Sequence, residues 1–300
     1  MTVPDIMRIG YFADGPWSHK TLAKIFEDTT LSVSFICARF DNPDQTLKDI
    51  SEKMKIPFIV HKNVNSDDFH SKLKGFDFDI FVSMSFNQIF REKTFSLPKF
   101  TTINCHAGLL PFYRGRNVLN WVLINDEQHF GITVHYIDHG IDTGDIILQQ
   151  TFEISDEDDY STLLNRSHHS CSELLVQAIK LIQSGKATRI KQNSIHPVGS
   201  YCTRRKTGDE LIDWNWPSRR IFNFVRAITS PGPGAQTCHL EKKVKIHKVV
   251  MVEQATDYID VPGAIIEKTK NTFTVKTGDS CIKVLDWEAN CSLMVGDRLL

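Results

Sequence analysis

No two of the seven cysteines in this 300-residue chain are spaced as a CxxC pair, so neither a zinc ribbon nor a thioredoxin-type redox site is signalled. The cysteines (37, 105, 171, 202, 238, 281 and 291) are scattered and odd in number, which fits unpaired thiols in a reducing compartment. No stretch approaches the roughly 20 apolar residues of a membrane span. The opening segment is too acidic and too short in apolar run for a signal peptide, so a cytoplasmic protein is expected. Charge of one sign is also lacking. Thirty-five Lys and Arg stand against 36 Asp and Glu, a net of -1, so no global field gathers nucleic acid or anionic membrane. Both are therefore disfavoured as partners. The first strand-to-helix turn reads Ala13-Asp14-Gly15-Pro16-Trp17, without a GxGxxG, and a dinucleotide-dependent oxidoreductase loses its main support. No metal ligands stand at a recognisable spacing. The run Asp138–Asp145 lacks the 12-residue calcium pattern with its terminal Glu.

What is present is an ordinary globular composition, 41% hydrophobic and 24% charged. The length suggests a main domain with a smaller second one. Short apolar strands are expected at 6–13, 32–38, 56–60, 78–83 and 101–104, alternating with helices at 18–27, 46–54 and 67–73. This rhythm predicts a Rossmann-like, mostly parallel sheet with helices on both faces. Strands at 131–136 and 145–153 follow, then a long helix over 161–185. The polar, turn-rich interval 186–209 holds the expected junction, dividing the chain into 1–203 and 204–300. A helix over 218–227, with Ser218 as its cap, leads into short strands at 244–252, 263–267 and 272–277. These predict a small, mainly β, OB-like domain.

The densest segment runs from Ile103 to Arg116. Asn104 and His106 end a strand two residues apart, so their side chains fall on the same side of the chain. An amide donor and an imidazole so placed suit acyl transfer, one steadying an oxyanion and the other handling protons. A carboxylate from Asp138, Asp142 or Asp145 could orient or charge-balance the imidazole. On spacing alone, an Asn or His near a strand end is more often a hydrogen-bonded structural residue, and the carboxylate run could equally be a solvated turn.

The strings NCHAGLLPFYRGRNVLNWVLIN, GITVHYIDHGIDTGDIIL and SFNQIF resemble the formyltransferase family that uses 10-formyltetrahydrofolate. The resemblance covers Asn-x-His, Leu-Pro-x-Tyr-Arg-Gly, Gly-x-Thr-x-His and Asp-x-Gly in the family's order, and is motif-dense from about Asp79 to Gln149. It implies Asn104, His106 and Asp142 as the catalytic residues, with Asp142 favoured over Asp138 and Asp145. It further implies 10-formyltetrahydrofolate as co-substrate and no metal. Asn104 and His106 would stabilise an oxyanion, and Asp142 would hold His106 in its useful tautomer and accept the amine's proton. The pterin would be read by the loop carrying Met84, Phe86, Gln88 and Ile89, with Asp138 also on the cofactor side. For Phe86 and Ile89, simple core packing competes with that role.

The acceptor is narrowed by the same likeness. Arg114 to Trp121 and Asp14 to Trp17 resemble the branch acting on nucleotide-linked amino sugars. Trp17, Arg114 and Arg116 become candidate substrate-binding residues, the two guanidiniums suiting a diphosphate. A dTDP-linked amino-deoxysugar and a homodimer are expected. From Tyr201 to Leu300 there are 15 Lys and Arg and 12 Asp and Glu, a net of 15 − 12 = +3, which does not mark a tRNA-binding module. Formylation of methionyl-tRNA is the alternative with the same chemistry. A non-catalytic binding or scaffold protein is the alternative of another class.

Overall fold

The computed structural model describes residues 4–300. In chain order, its first half reads β1 (Met7–Ala13), α1 (Gly15–Glu27), β2 (Leu31–Ala38), α2 (Gln45–Met54), β3 (Phe58–Val60), α3 (Asp67–Leu73), β4 (Ile80–Met84), α4 (Glu92–Phe95) and β5 (Thr101–His106). There follow β6 (Arg114–Gly115), α5 (Val118–Ile124), β7 (His129–Tyr136), β8 (Ile146–Glu153), α6 (Tyr160–Gln183), α7 (Gln192–Ile195) and β9 (Tyr201–Cys202). The chain closes with α8 (Ser218–Ile228), β10 (Ala235–His239), β11 (Lys242–Met251), β12 (Ile265–Lys268), β13 (Phe273–Lys276) and β14 (Cys281–Ala289). Among the described residues, no helix is long and apolar enough to cross a membrane.

Two compact units result. One comprises the chain up to Gly115 with Phe130–Phe152 and Asn165–Tyr201; the other comprises Arg116–His129, Glu153–Leu164 and Cys202–Leu300. The first is built on a seven-stranded sheet of order β3-β2-β1-β4-β5-β7-β8. β1 to β5 pair in parallel, whereas β7 runs antiparallel to β5. The expected mostly parallel α/β sheet is thus present. Its central strands are continuous apolar runs, with every residue of β4 buried, as burial on both faces requires. Phe12 of β1 anchors an aromatic core, with ring centroids 5.0 Å from Phe81, 5.7 Å from Phe35 and 4.8 Å from Phe90. Edge-on packing of this kind adds to the area buried.

The strand order reverses between β1 and β4. Register pairs Ala13 with Met84 and Met84 with Cys105, so β1, β4 and β5 end together at one edge of the sheet. In open α/β sheets that edge, at the reversal, is where ligands are held.

The second unit contains a five-stranded antiparallel sheet of order β10-β11-β14-β13-β12. This is the expected small, mainly β domain. Helix α8 buries Ile221, Phe222, Phe224, Val225 and Ile228, and the Asn120 side chain of α5 donates to the Ala227 carbonyl at 2.6 Å. The helix at α5 was not legible in the sequence reading. Ser218 is not the cap expected of it: Pro217 holds that position. The Ser218 amide and hydroxyl instead donate to Asp279 at 2.8 and 3.0 Å.

Candidate active site

Two adjacent strands build the site, and their register explains the spacing of its motifs. β5 and β7 pair Asn104 with His135 and His106 with Thr133. Alternation then sets these four side chains on one face, while Ile103, Cys105, Ile132 and Val134 take the other. Asn104 Nδ2 lies 3.2 Å from His135 Nε2. His135 Nδ1 lies 2.8 Å from the Tyr136 carbonyl, which only accepts, so Nδ1 carries the proton. Nε2 faces the Asn104 amide, whose second N–H has no partner among the described residues.

Asp142 completes the group from the loop after β7. Its side chain is 14% exposed, its Oδ2 lies 3.6 Å from His106 Nδ1, and its Oδ1 lies 3.5 Å from His135 Nε2. The Gly115 amide donates to Oδ2 at 2.9 Å. Burial alone would push this carboxyl up. The nearby His106 and His135 imidazoles and the Gly115 amide together hold it well below the usual carboxylate range. The backbone pays for this placement with a left-handed φ of 54° at Asp142.

His106 is oriented differently from the family-based expectation. Its Nε2 donates to the Tyr113 carbonyl at 2.6 Å, and this bond, not Asp142, fixes the ring. Asp142 at 3.6 Å is beyond a good hydrogen bond, so Nδ1 faces the carboxylate without being tied to it.

The surrounding loops are fitted to these contacts. The Thr133 hydroxyl donates to the Gly108 carbonyl at 2.7 Å and accepts from the Leu110 amide at 3.3 Å. Gln149 Nε2 reaches both Leu110 O and Thr133 Oγ1 at 2.8 Å. A Cβ on Gly108 would stand 2.5 Å from His106 Nε2 and 2.6 Å from Tyr113 O, and one on Gly144 would stand 1.8 Å from Tyr136 O. Asp138 accepts from the Gly140 amide and the Thr143 hydroxyl at 3.0 and 2.6 Å. It shapes the loop carrying Asp142.

The remaining sequence candidates are placed as follows. Met84 is buried at the end of β4, and Ile89 is 64% exposed. Phe86 packs its ring 5.5 Å from Phe12 and 5.9 Å from Phe90, so core packing accounts for it. Gln88 ties its loop to the segment before α3, accepting from Val64 N at 2.9 Å and donating to His61 O at 2.8 Å. Between them, Asn87 Oδ1 is buried without a hydrogen-bond partner among the described residues. Trp17 packs edge-on against His168 at 4.5 Å. Arg114 departs from the diphosphate role expected of it. It is buried, with Nε and Nη2 on Gln192 Oε1 at 3.0 and 2.7 Å and Nη1 on Val198 O at 3.0 Å. Its donors hold the protein together. Arg116 lies in the second unit and is exposed. His135 was missed as a site residue, although the Gly-x-Thr-x-His string contained it.

Two family profiles match the chain: Formyl transferase over residues 27–179 and Formyl transferase, C-terminal domain, over 205–296. A methionyl-tRNA formyltransferase of Pelotomaculum thermopropionicum is 34% identical over 255 residues, 84% of this chain and 80% of that protein. Among solved structures, WlaRD, a sugar 3N-formyl transferase crystallised with dTDP and 5-N-formyl-THF, has a TM-score of 0.70 at 20% identity, over 96% of this chain and 99% of that one. An N-formyltransferase from Helicobacter canadensis, in complex with folinic acid and dTDP-3-aminofucose, has a TM-score of 0.69 at 22% identity, over 93% and 99%. At these identities the structural likeness is one of fold.

Two outcomes test this geometry. Gly108→Ala drives a methyl between His106 and Tyr113 O, and overpacking of this kind costs about 1–3 kcal/mol; urea unfolding within error of the native chain would refute the contact. Because the folded Asp142 carboxyl sits below its ordinary value of 3.8, its ionisation stabilises the fold above that value. The contribution is lost as pH falls through the folded value. The stability difference between the native chain and Asp142→Asn is expected to be flat above about pH 5 and to shrink below ~pH 4. A difference that stays constant into acid would contradict the ion contacts.

Proposed function

The chain belongs to the folate-dependent formyl transferase family, and from this premise we propose that it formylates the amine of a nucleotide-linked amino-deoxysugar. It is a formyltransferase, and the donor is a formyl-tetrahydrofolate. The observation that carries the mechanism is the convergence of Asn104, His106 and Asp142 on one group, joined by His135. The donor suits the residues present. Asn87 Oδ1 is a buried acceptor without a partner in the loop after β4, and a reduced pterin carries N–H donors to match it.

When bound, the folate supplies an activated formyl carbon. The free N–H of Asn104 points a donor at the oxygen where negative charge develops, and removing one such donor costs roughly 10²–10³ in rate. His106, anchored through Nε2, offers its Nδ1 to the same oxygen. Asp142 balances the charge on that ring. A carboxyl held below the usual range is a poor base at neutral pH, so charge balance, rather than keeping the amine's proton, is its part. The amine gives up one proton and the folate nitrogen gains one, so the exchange leaves no net proton.

The amino-sugar acceptor is supported by the strings at Asp14–Trp17 and Arg114–Trp121, by the near balance of charge, and by a fold shared with two sugar formyltransferases over nearly the whole chain. The second reading, methionyl-tRNA, is favoured by the 34% identity to an enzyme of that name.

The test is a folate-release assay with 10-formyltetrahydrofolate and dTDP- or UDP-linked amino sugars or charged initiator tRNA. Turnover with an amino sugar is expected, reduced about 10²-fold or more by Asn104→Ala and by His106→Ala. Turnover with tRNA alone would overturn the acceptor, and full activity in either variant would overturn the site.

A further inference from the structure

A cavity of about 780 Å³ opens within the second unit, in the size range of small-ligand pockets. Its lining includes three consecutive cations, Arg204, Arg205 and Lys206, and they are not equivalent. Arg205 is fixed: its guanidinium bonds the Asp209 carbonyl and lies over Trp121 and Phe224, with 5.6 and 5.5 Å to the ring centroids. Its amide donates to Asn117 at 2.9 Å, and that of Lys206 donates to Asp209 at 2.8 Å. These bonds set the loop without using the side chains of Arg204 and Lys206. Both are exposed, and neither side chain has an ion pair or hydrogen bond among the described residues.

Tyr160 adds a third unused donor. It is half-buried at the same cavity, and its hydroxyl has no partner among the described residues. Two unmatched cations and a phenol, held by an ordered loop around a concave space, form a donor set that lacks its anion. The lining also holds Pro231 and Pro233, exposed in a turn closed by the Gly232 amide on Thr229 O and the Gly234 amide on Ile228 O, both at 2.8 Å. Such an apolar wall suits the face of a planar base. Glu210 is the one carboxylate in the lining. It accepts from the Gly208 amide at 2.8 Å and leaves an oxygen for a sugar hydroxyl or base N–H.

We propose that this cavity binds a nucleoside diphosphate, with its phosphates on Arg204, Lys206 and Tyr160 and its base against Pro231 and Pro233. A polyanion fits less well. Two free cations in a concavity, in a region carrying 15 Lys and Arg against 12 Asp and Glu, make a local anion site rather than the basic face that nucleic acid needs. The inference goes beyond the transfer reaction and stands whichever acceptor is formylated, because it concerns binding without turnover.

The test uses the full chain with dTDP and UDP as probes, by titration calorimetry and by acetylation footprinting of lysines read by mass spectrometry. Either nucleotide is expected to slow acetylation of Lys206 at least threefold or so while leaving the exposed Lys270 unchanged. The double variant Arg204→Ala/Lys206→Ala, at two unbonded surface side chains, is expected to weaken binding at least about tenfold. Absence of dTDP and UDP binding, unchanged affinity in the double variant, or protection of Lys206 by charged tRNA but by neither nucleotide would each overturn the proposal. Amino-sugar turnover alongside any of these outcomes would leave the proposed reaction standing.

Discussion

A carboxylate largely removed from water is the constraint around which the first unit is arranged. Asp142 can stay ionised there only because two imidazoles and the Gly115 amide surround it, since an uncompensated buried charge would instead take up a proton. Each of those partners needs support in turn. His106 is braced by the Tyr113 carbonyl, and His135 by the Tyr136 carbonyl. Gly144 is required because any side chain there would strike the same Tyr136 carbonyl. The left-handed backbone at Asp142 is the local strain that the surrounding contacts hold in place.

The sheet supplies the rigidity that this arrangement demands. Parallel pairing fixes β4 against β5, and antiparallel pairing fixes β7 against β5, with no freedom to slip without turning the buried faces outward. The antiparallel step matters chemically. It brings His135 opposite Asn104 and Thr133 opposite His106, so one strand carries the two candidate catalytic side chains and its neighbour carries His135, which contacts Asn104, and Thr133, which ties down the loop at Gly108 and Leu110. Loops then need only close over a preset pair of strand ends, as expected of a site built on rigid elements.

Much of this was legible from periodicity. Apolar runs marked β1, β2 and β4, and alternation set Asn104 and His106 on one side before any contact was known. The identity of the third group needed more than spacing, because Asp138, Asp142 and Asp145 are equivalent as residue types in one loop. The family resemblance favoured Asp142, and the fold gives the physical difference: Asp138 bonds Gly140 and Thr143, whereas Asp142 faces the histidines. Sequence reasoning failed where a backbone atom does the work. The carbonyl that orients His106 belongs to Tyr113, and nothing in a side-chain pattern reports a carbonyl's direction. It also gave no sign that Gln192 and Val198 accept three of the five N–H donors of Arg114, whose charge suggested a ligand. His135 lay within a motif, but its part became readable only through cross-strand register.

The proposed mechanism requires the buried, ionised Asp142 to make the Asn104–His106 pair competent for formyl transfer. Single-turnover formyl transfer by Asp142→Asn, with donor and acceptor both saturating, tests it most directly, because the change keeps the size of the side chain and removes its charge. A fall of roughly 10²-fold or more, with donor binding little changed and the variant still folded at neutral pH, is predicted. A rate within a few-fold of the native chain would show that the carboxylate is structural and that the chemistry is carried without it.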